Sequence, residues 1–145
     1  MKNKIQIING PNLNLLGKRE PEIYGNKNFQ DYFEELQKEY PDIYMHYFQS
    51  NHEGSIIDKL QDVGFRYDGI ILNAGALTHY SYAIADTLRA IPCPVVEVHI
   101  SDIFAREDFR KVSVTKEHCI DLISGQGLAG YRMALDILIK RMIKD

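Results

Sequence analysis

The chain has 145 residues, 45% hydrophobic and 26% charged, with a net charge of −3, the size and balance of one globular domain, expected to span residues 1–145. Interspersed charges of both signs give no basic footprint for nucleic acid or an anionic membrane surface, and no apolar run approaches the roughly 18 residues that a bilayer span needs. Two cysteines are too few for a disulfide framework in a chain of this size, so a reducing, cytoplasmic setting is expected, with Cys93 and Cys119 as small apolar residues at strand starts.

Along the chain, Lys4-Ile5-Gln6-Ile7-Ile8-Asn9 is a β-rich run closed by Gly10-Pro11 and predicts a first strand. A polar loop punctuated by glycine and proline runs from Gly10 to about Lys27. Phe29, Tyr32, Phe33, Leu36 and Tyr40 then recur at helical spacing, halted by Pro41. Ile43 to Phe48 predicts a second strand, and Ile56, Ile57, Leu60 and Val63 a second helix ending near Gly64. Asp68-Gly69-Ile70-Ile71-Leu72-Asn73 is continuous enough for a strand buried on both faces. An amphipathic helix follows from His79 to Ile91, then a fourth strand from Pro94 to His99. A second long loop covers Ile100 to about Lys116, and Cys119 to Ile123 reads as a fifth strand. The last helix carries the stripe Leu128, Tyr131, Leu135, Leu138 and Met142. Neither repeats nor linkers interrupt this alternation. It predicts an α/β fold of three layers, a doubly wound five-stranded parallel sheet of flavodoxin type in the order 2-1-3-4-5.

In such sheets, ligands bind beyond the carboxyl ends of the strands, where the strand order reverses. Three adjacent tips hold unusual residues there: Asn9-Gly10-Pro11-Asn12, Asn73-Ala74-Gly75 and Glu97-Val98-His99. Glu97 and His99 are two apart, so they share one face of their strand. A carboxylate and an imidazole in an apolar strand need partners. The pair reads either as an acid or base oriented by a carboxylate or as a satisfied structural pair at the sheet edge. The loop from Gly17 to Gly25 is long and charged, which points to function. Within it, Arg19 could depress the phenol pKa of Tyr24 from about 10 and make it a usable base; a plain solvated loop is the other reading. Arg106 and Arg110 carry the same two readings.

Other chemistries lack their residues. The five histidines show no paired zinc spacing, and there is no Cys-x-x-Cys, Walker loop, Gly-x-Gly-x-x-Gly or Gly-x-Ser-x-Gly. Gln126-Gly127 at the last helix start could hold an anion, though close helix packing explains it equally well. Neither metal nor cofactor is expected.

Several blocks together resemble the type II 3-dehydroquinate dehydratases. They are Ile8 through Gly17 with Arg19-Glu20-Pro21-Glu22-Ile23-Tyr24-Gly25, Gln49 through Gly54, Asn73-Ala74-Gly75-Ala76 with Thr78-His79, Glu97-Val98-His99-Ile100-Ser101, Arg106-Glu107 with Phe109-Arg110, and Gly125-Gln126-Gly127 leading to Gly130-Tyr131. The resemblance implies an anti elimination of water from 3-dehydroquinate through an enolate, giving 3-dehydroshikimate. It implies Tyr24 as base, Arg19 as the group lowering its pKa, Asn12 as enolate stabiliser, and His99, oriented by Glu97, as the acid. It also implies that Asn73, the backbone amides of Ile100 and Ser101, His79 and Arg110 hold the substrate. Asp86 matches a residue given by a neighbouring subunit, in a homododecamer built of trimers. The chain departs from the family at Asp102, where asparagine is most frequent, at Phe104, often histidine, and at Lys18, often a small hydroxyl residue. The added charge of Asp102 near an anion site is expected to bear on substrate affinity. Two alternatives are a flavodoxin-like binding module without catalysis and a dehydratase of another cyclic hydroxy-acid; a yellow, flavin-bearing protein would mark the first.

Overall fold

The computed structural model describes residues 2–18, 22 and 27–144. Five strands, β1 (Asn3–Asn9), β2 (Ile43–Gln49), β3 (Gly69–Asn73), β4 (Val95–His99) and β5 (Asp121–Ser124), form one sheet in the order β2-β1-β3-β4-β5. All four pairings are parallel. Among the described residues, the helices that connect and flank them are α1 (Phe29–Glu39), α2 (Glu53–Val63), α3 (Tyr82–Ala90) and α4 (Ala129–Lys144). The expected doubly wound architecture and strand order are therefore what the chain adopts.

Alternation along the strands divides the core. Ile5, Ile7, Ile71, Val96 and Val98 face α1 and α4, meeting Phe29, Tyr32, Phe33, Leu36, Tyr131, Ala134, Leu135 and Leu138. Ile8, Ile70, Leu72 and Val95 face the other way, onto Ile56, Leu60 and Val63 of α2 and Ile84 and Leu88 of α3. With both sheet faces covered, β3 and β4 are buried at every position, which is why they read as unbroken apolar runs.

Three boundaries differ from the expectations. The helix expected from His79 begins at Tyr82, because Gly75–His79 forms a 3-10 turn and the Ser81 hydroxyl accepts the Ile84 N–H to cap α3. The fifth strand starts at Asp121, since Cys119 closes a 3-10 turn over Lys116–His118. The long loop after β4 is also partly folded, with 3-10 turns at Ile103–Ala105 and Asp108–Arg110.

Candidate active site

The tips of β1, β3 and β4 come together as their order requires. Asn9 pairs with Asn73 at the ends of β1 and β3, and the Gly10 N–H donates to the Asn73 carbonyl at 2.7 Å. A Cβ on Gly10 would lie 2.5 Å from the Ala74 carbonyl oxygen, so only glycine allows this approach. Gly75 turns the chain with φ +61. Beyond the tips lies a concave pocket lined by Pro11, Asn12, Leu13, Asn73, Gly75, Ala76, His79, His99, Ile100, Ser101, Ile103, Arg106 and Arg110.

Glu97 and His99 stand at the floor of this pocket. Glu97 is 0% exposed and His99 4%, and the His99 Nε2 lies 2.6 Å from Glu97 Oε2. With β5 paired alongside, β4 is an inner strand, so the pair does not sit at a sheet edge. Three hydroxyls surround the carboxylate. Ser113 Oγ donates to Oε2 at 2.7 Å and Thr115 Oγ1 to Oε1 at 2.5 Å, while Thr78 Oγ1 lies 3.1 Å from Oε2. Burial works against the charge on Glu97. The hydrogen bonds and charge of His99, with those from Thr115 and Ser113, outweigh it and hold the carboxyl below its ordinary range. This is an ionised, acceptor-only anion with an imidazole fixed against it.

Asn73 is 3% exposed and oriented on both sides. Its Oδ1 accepts the Gly75 N–H at 3.1 Å and its Nδ2 donates to the Tyr131 hydroxyl at 2.9 Å. That hydroxyl donates in turn to Asn9 Oδ1 at 2.8 Å, and burial pushes the phenol far up, so it stays neutral. One Asn73 N–H hydrogen is left over for a ligand.

His79 sits on the 3-10 turn after β3, with its Nδ1 donating to the Val112 carbonyl at 2.7 Å. Burial is the main cause that holds its pKa below the ordinary histidine range, and His99 and Arg110 add to it. The neutral ring then offers Nε2 as an acceptor. Arg106 Nη1 donates to Ser101 Oγ at 3.3 Å. Arg110 Nε lies 2.6 Å from Glu107 Oε2, with the guanidinium 5.0 Å from the Phe109 ring centre. The two guanidinium groups line one wall of the pocket. Ile100 and Ser101 continue β4 along that wall, their carbonyls held by the Gly127 and Gly125 N–H groups.

Most of the expected residues thus meet in one pocket: Asn12, Asn73, His79, His99, Ile100, Ser101 and Arg110, with Glu97 beneath. Asn12 takes a left-handed backbone, φ 70, and its N–H donates to Asn51 Oδ1 at 2.9 Å. Arg19 and Tyr24 lie outside the described residues. Asp86 is on the exposed side of α3, its side chain 75% exposed, and is absent from the lining of the pocket. Asp102 is also absent from that lining: its carboxylate accepts the Phe104 N–H at 3.0 Å and caps the turn at Ile103–Ala105. Lys18 and Phe104 are exposed.

Ser113, Thr115 and the orienting role of Tyr131 are not among the residues expected from sequence, and Arg106 carried two readings there. Alternation of apolar and hydroxyl residues in Val112-Ser113-Val114-Thr115 was the available signal for two of them. The two cysteines offer no rival nucleophile, since burial raises both thiols, Cys93 to about 12 and Cys119 further.

The chain is similar in sequence and fold to known proteins. The family described as dehydroquinase class II matches residues 3–139. A 3-dehydroquinate dehydratase of Clostridium botulinum (strain Okra / Type B1) is 47% identical over 145 residues, covering 99% of either chain. The crystal structure of a type II dehydroquinase from Butyrivibrio crossotus superposes with a TM-score of 0.90 at 50% identity, over 95% of this chain and 98% of that one. A type II dehydroquinase from Propionibacterium acnes gives a TM-score of 0.89 at 36% identity, over 97% and 98%. A family match over residues 3–139, with 47% identity to a relative over nearly all of both chains and the same fold, places this chain in the class II dehydroquinase family.

Proposed function

We propose that this chain is a lyase of the shikimate pathway that eliminates water from 3-dehydroquinate, anti across the ring, to give 3-dehydroshikimate through an enolate. The observation that carries this reading is the buried Glu97–His99 pair at the floor of a pocket walled by Arg106 and Arg110, in a chain of this family. Abstracting a proton beside a ketone requires a base, a stabiliser for the oxyanion and an acid for the departing hydroxyl.

Tyr24, as the phenolate favoured by Arg19, takes the proton on the carbon next to the ketone. The C–H electrons become the enolate, whose oxygen Asn12 helps to stabilise. The enolate then collapses back to the ketone, a carbon–carbon double bond forms, and the C–O bond to the hydroxyl breaks. His99, protonated and braced by Glu97, gives that hydroxyl its proton, so water leaves. Tyr24 ends neutral and His99 ends neutral; one proton must move back between them, through solvent, before the next turnover. Asn73, the amides of Ile100 and Ser101, His79 and Arg110 hold the carboxylate and remaining hydroxyls. The assembled form is a homododecamer of trimers in the cytoplasm, and Asp86 reaches the pocket of a neighbouring subunit.

The test is a continuous ultraviolet assay of enone formation from 3-dehydroquinate. Wild type should turn over, and Tyr24→Phe should lose at least about 100-fold in kcat, as expected for removing a general base. A folded wild-type oligomer without turnover overturns the reaction; a fully active Tyr24→Phe overturns the base.

A further inference from the structure

Glu97 is held by more than its histidine, and counting protons around it shows how. Thr115 Oγ1 is 2.5 Å from Glu97 Oε1 and Ser113 Oγ 2.7 Å from Oε2. Each hydroxyl has a single hydrogen, and a carboxylate can only accept, so both are spent on Glu97. Thr78 Oγ1 lies 2.6 Å from Thr115 Oγ1 but 3.1 Å from Glu97, so its hydrogen goes first to Thr115. A chain therefore runs from Thr78 through Thr115 to Glu97, each bond polarising the next. Ser113 Oγ is fixed as well, accepting the Lys116 N–H at 3.1 Å. Thr78, Ser113 and Thr115 are all buried, so water does not compete for these hydrogens.

The consequence falls on His99. With Oε1 engaged by Thr115 and Oε2 shared by Ser113 and the imidazole, the carboxylate has one orientation and remains charged. His99 must then present Nε2–H to Glu97, which leaves Nδ1 as the ring atom for the substrate. The same short segment donates nothing to His79 but accepts from it, through the Val112 carbonyl. One stretch, residues 112–115, thus sets which nitrogen each pocket histidine turns to a ligand.

We propose that Thr115 and Ser113 are positioning residues of the elimination: their hydroxyls hold Glu97 ionised and fixed, so that His99 delivers its proton from Nδ1. This rests on the reading of His99 as the acid. Neither residue lines the pocket, so they act through Glu97 and His99 and not on the substrate.

Thr115→Val keeps the shape and removes the hydroxyl, whereas Thr115→Ser keeps it. For 3-dehydroquinate, Thr115→Val should lower kcat by about 10- to 100-fold, the range for deleting a hydrogen bond to a buried charge, with KM within about twofold of wild type. Thr115→Ser should recover kcat to within about threefold, and Ser113→Ala should lower it in the same sense. Nitrogen-15 NMR of the imidazoles in ligand-free protein gives a readout independent of turnover. In wild type His99 should show a protonated Nε2, and in Thr115→Val that signal should shift or broaden while the other histidines hold. Wild-type kcat retained in Thr115→Val, equal losses in the valine and serine variants, or an unmoved His99 signal overturns the proposal. Should Thr115→Val fail to fold, Ser113→Ala decides by the same criteria. A wild type with the fixed Nε2–H but no turnover of 3-dehydroquinate refutes the assigned reaction and not the positioning.

Discussion

At the scale of single residues, the pocket shows how burial sets protonation. His79 donates Nδ1–H to the Val112 carbonyl, and burial is the largest reason its pKa falls below the usual histidine range. A histidine that resists protonation only when folded binds fewer protons in the native chain than in the unfolded one near its ordinary pKa of about 6.5. Its contribution is therefore fully present above that value and is lost as the pH falls through the lowered, folded pKa. Glu97, also lowered, behaves in the same direction at more acid pH: its stabilisation is present above the ordinary carboxylate pKa and lost below. Denaturant unfolding of wild type and His79→Gln between about pH 8 and about pH 5.5 isolates the histidine. Wild type should lose more unfolding free energy across that window than the variant. Parallel pH curves for the two proteins would remove His79 from the account.

At the scale of elements, the turn before α3 determines where the third crossover helix begins. Ser81 is 2% exposed; its hydroxyl accepts the Ile84 N–H at 3.0 Å and donates to Glu53 Oε2 at 2.5 Å. One side chain thus caps α3 and ties it to the first turn of α2. Ser81→Ala should cost about 1 kcal/mol from the lost cap, with Glu53 free to turn to water. A midpoint of urea unfolding unchanged from wild type would show that the cap contributes nothing. This helix start also marks where the sequence was legible and where it was not. Strands such as Gly69–Asn73 announce themselves by apolar runs, because both faces of the sheet are covered. The polar tips at Asn9, Asn73 and His99 were equally visible, since polar residues are costly at the ends of buried strands. The roles of Ser113, Thr115 and Tyr131 were hard to read because the groups they hold, Glu97, Asn9 and Asn73, are distant in sequence. Tyr131 reaches Asn9 across 122 residues and Thr115 reaches Glu97 across 18, and a lone hydroxyl carries no periodicity. Asp102, a departure from the family pattern, accepts the N–H of Phe104 two residues on and caps the turn there.

At the scale of the whole molecule, the pocket and the outer face of α3 pose one question. Tyr80 and Tyr82 are 61% and 70% exposed, and Asp86 lies 3.9 Å from the similarly exposed Arg89. An ion pair so exposed contributes little within one chain, while large aromatics left in solvent mark surfaces that meet partners. In the proposed dodecamer this face would lie against a neighbour's pocket, which would account for both. Twelve chains of 16.7 kDa give about 200 kDa, which sedimentation velocity reads directly. Asp86→Ala should then lower kcat/KM by at least about tenfold, as for removal of one charged contact to a bound substrate. The stronger experiment mixes two impaired proteins. If Asp86 serves the neighbour's site, co-assembled Asp86→Ala and Tyr24→Phe subunits contain some pockets with both residues intact, and activity should rise above either parent. Activity no greater than the average of the parents would place Asp86 outside any shared site. A fully active, monomeric Asp86→Ala would remove the need for assembly altogether, leaving the exposed tyrosines of this face without a partner.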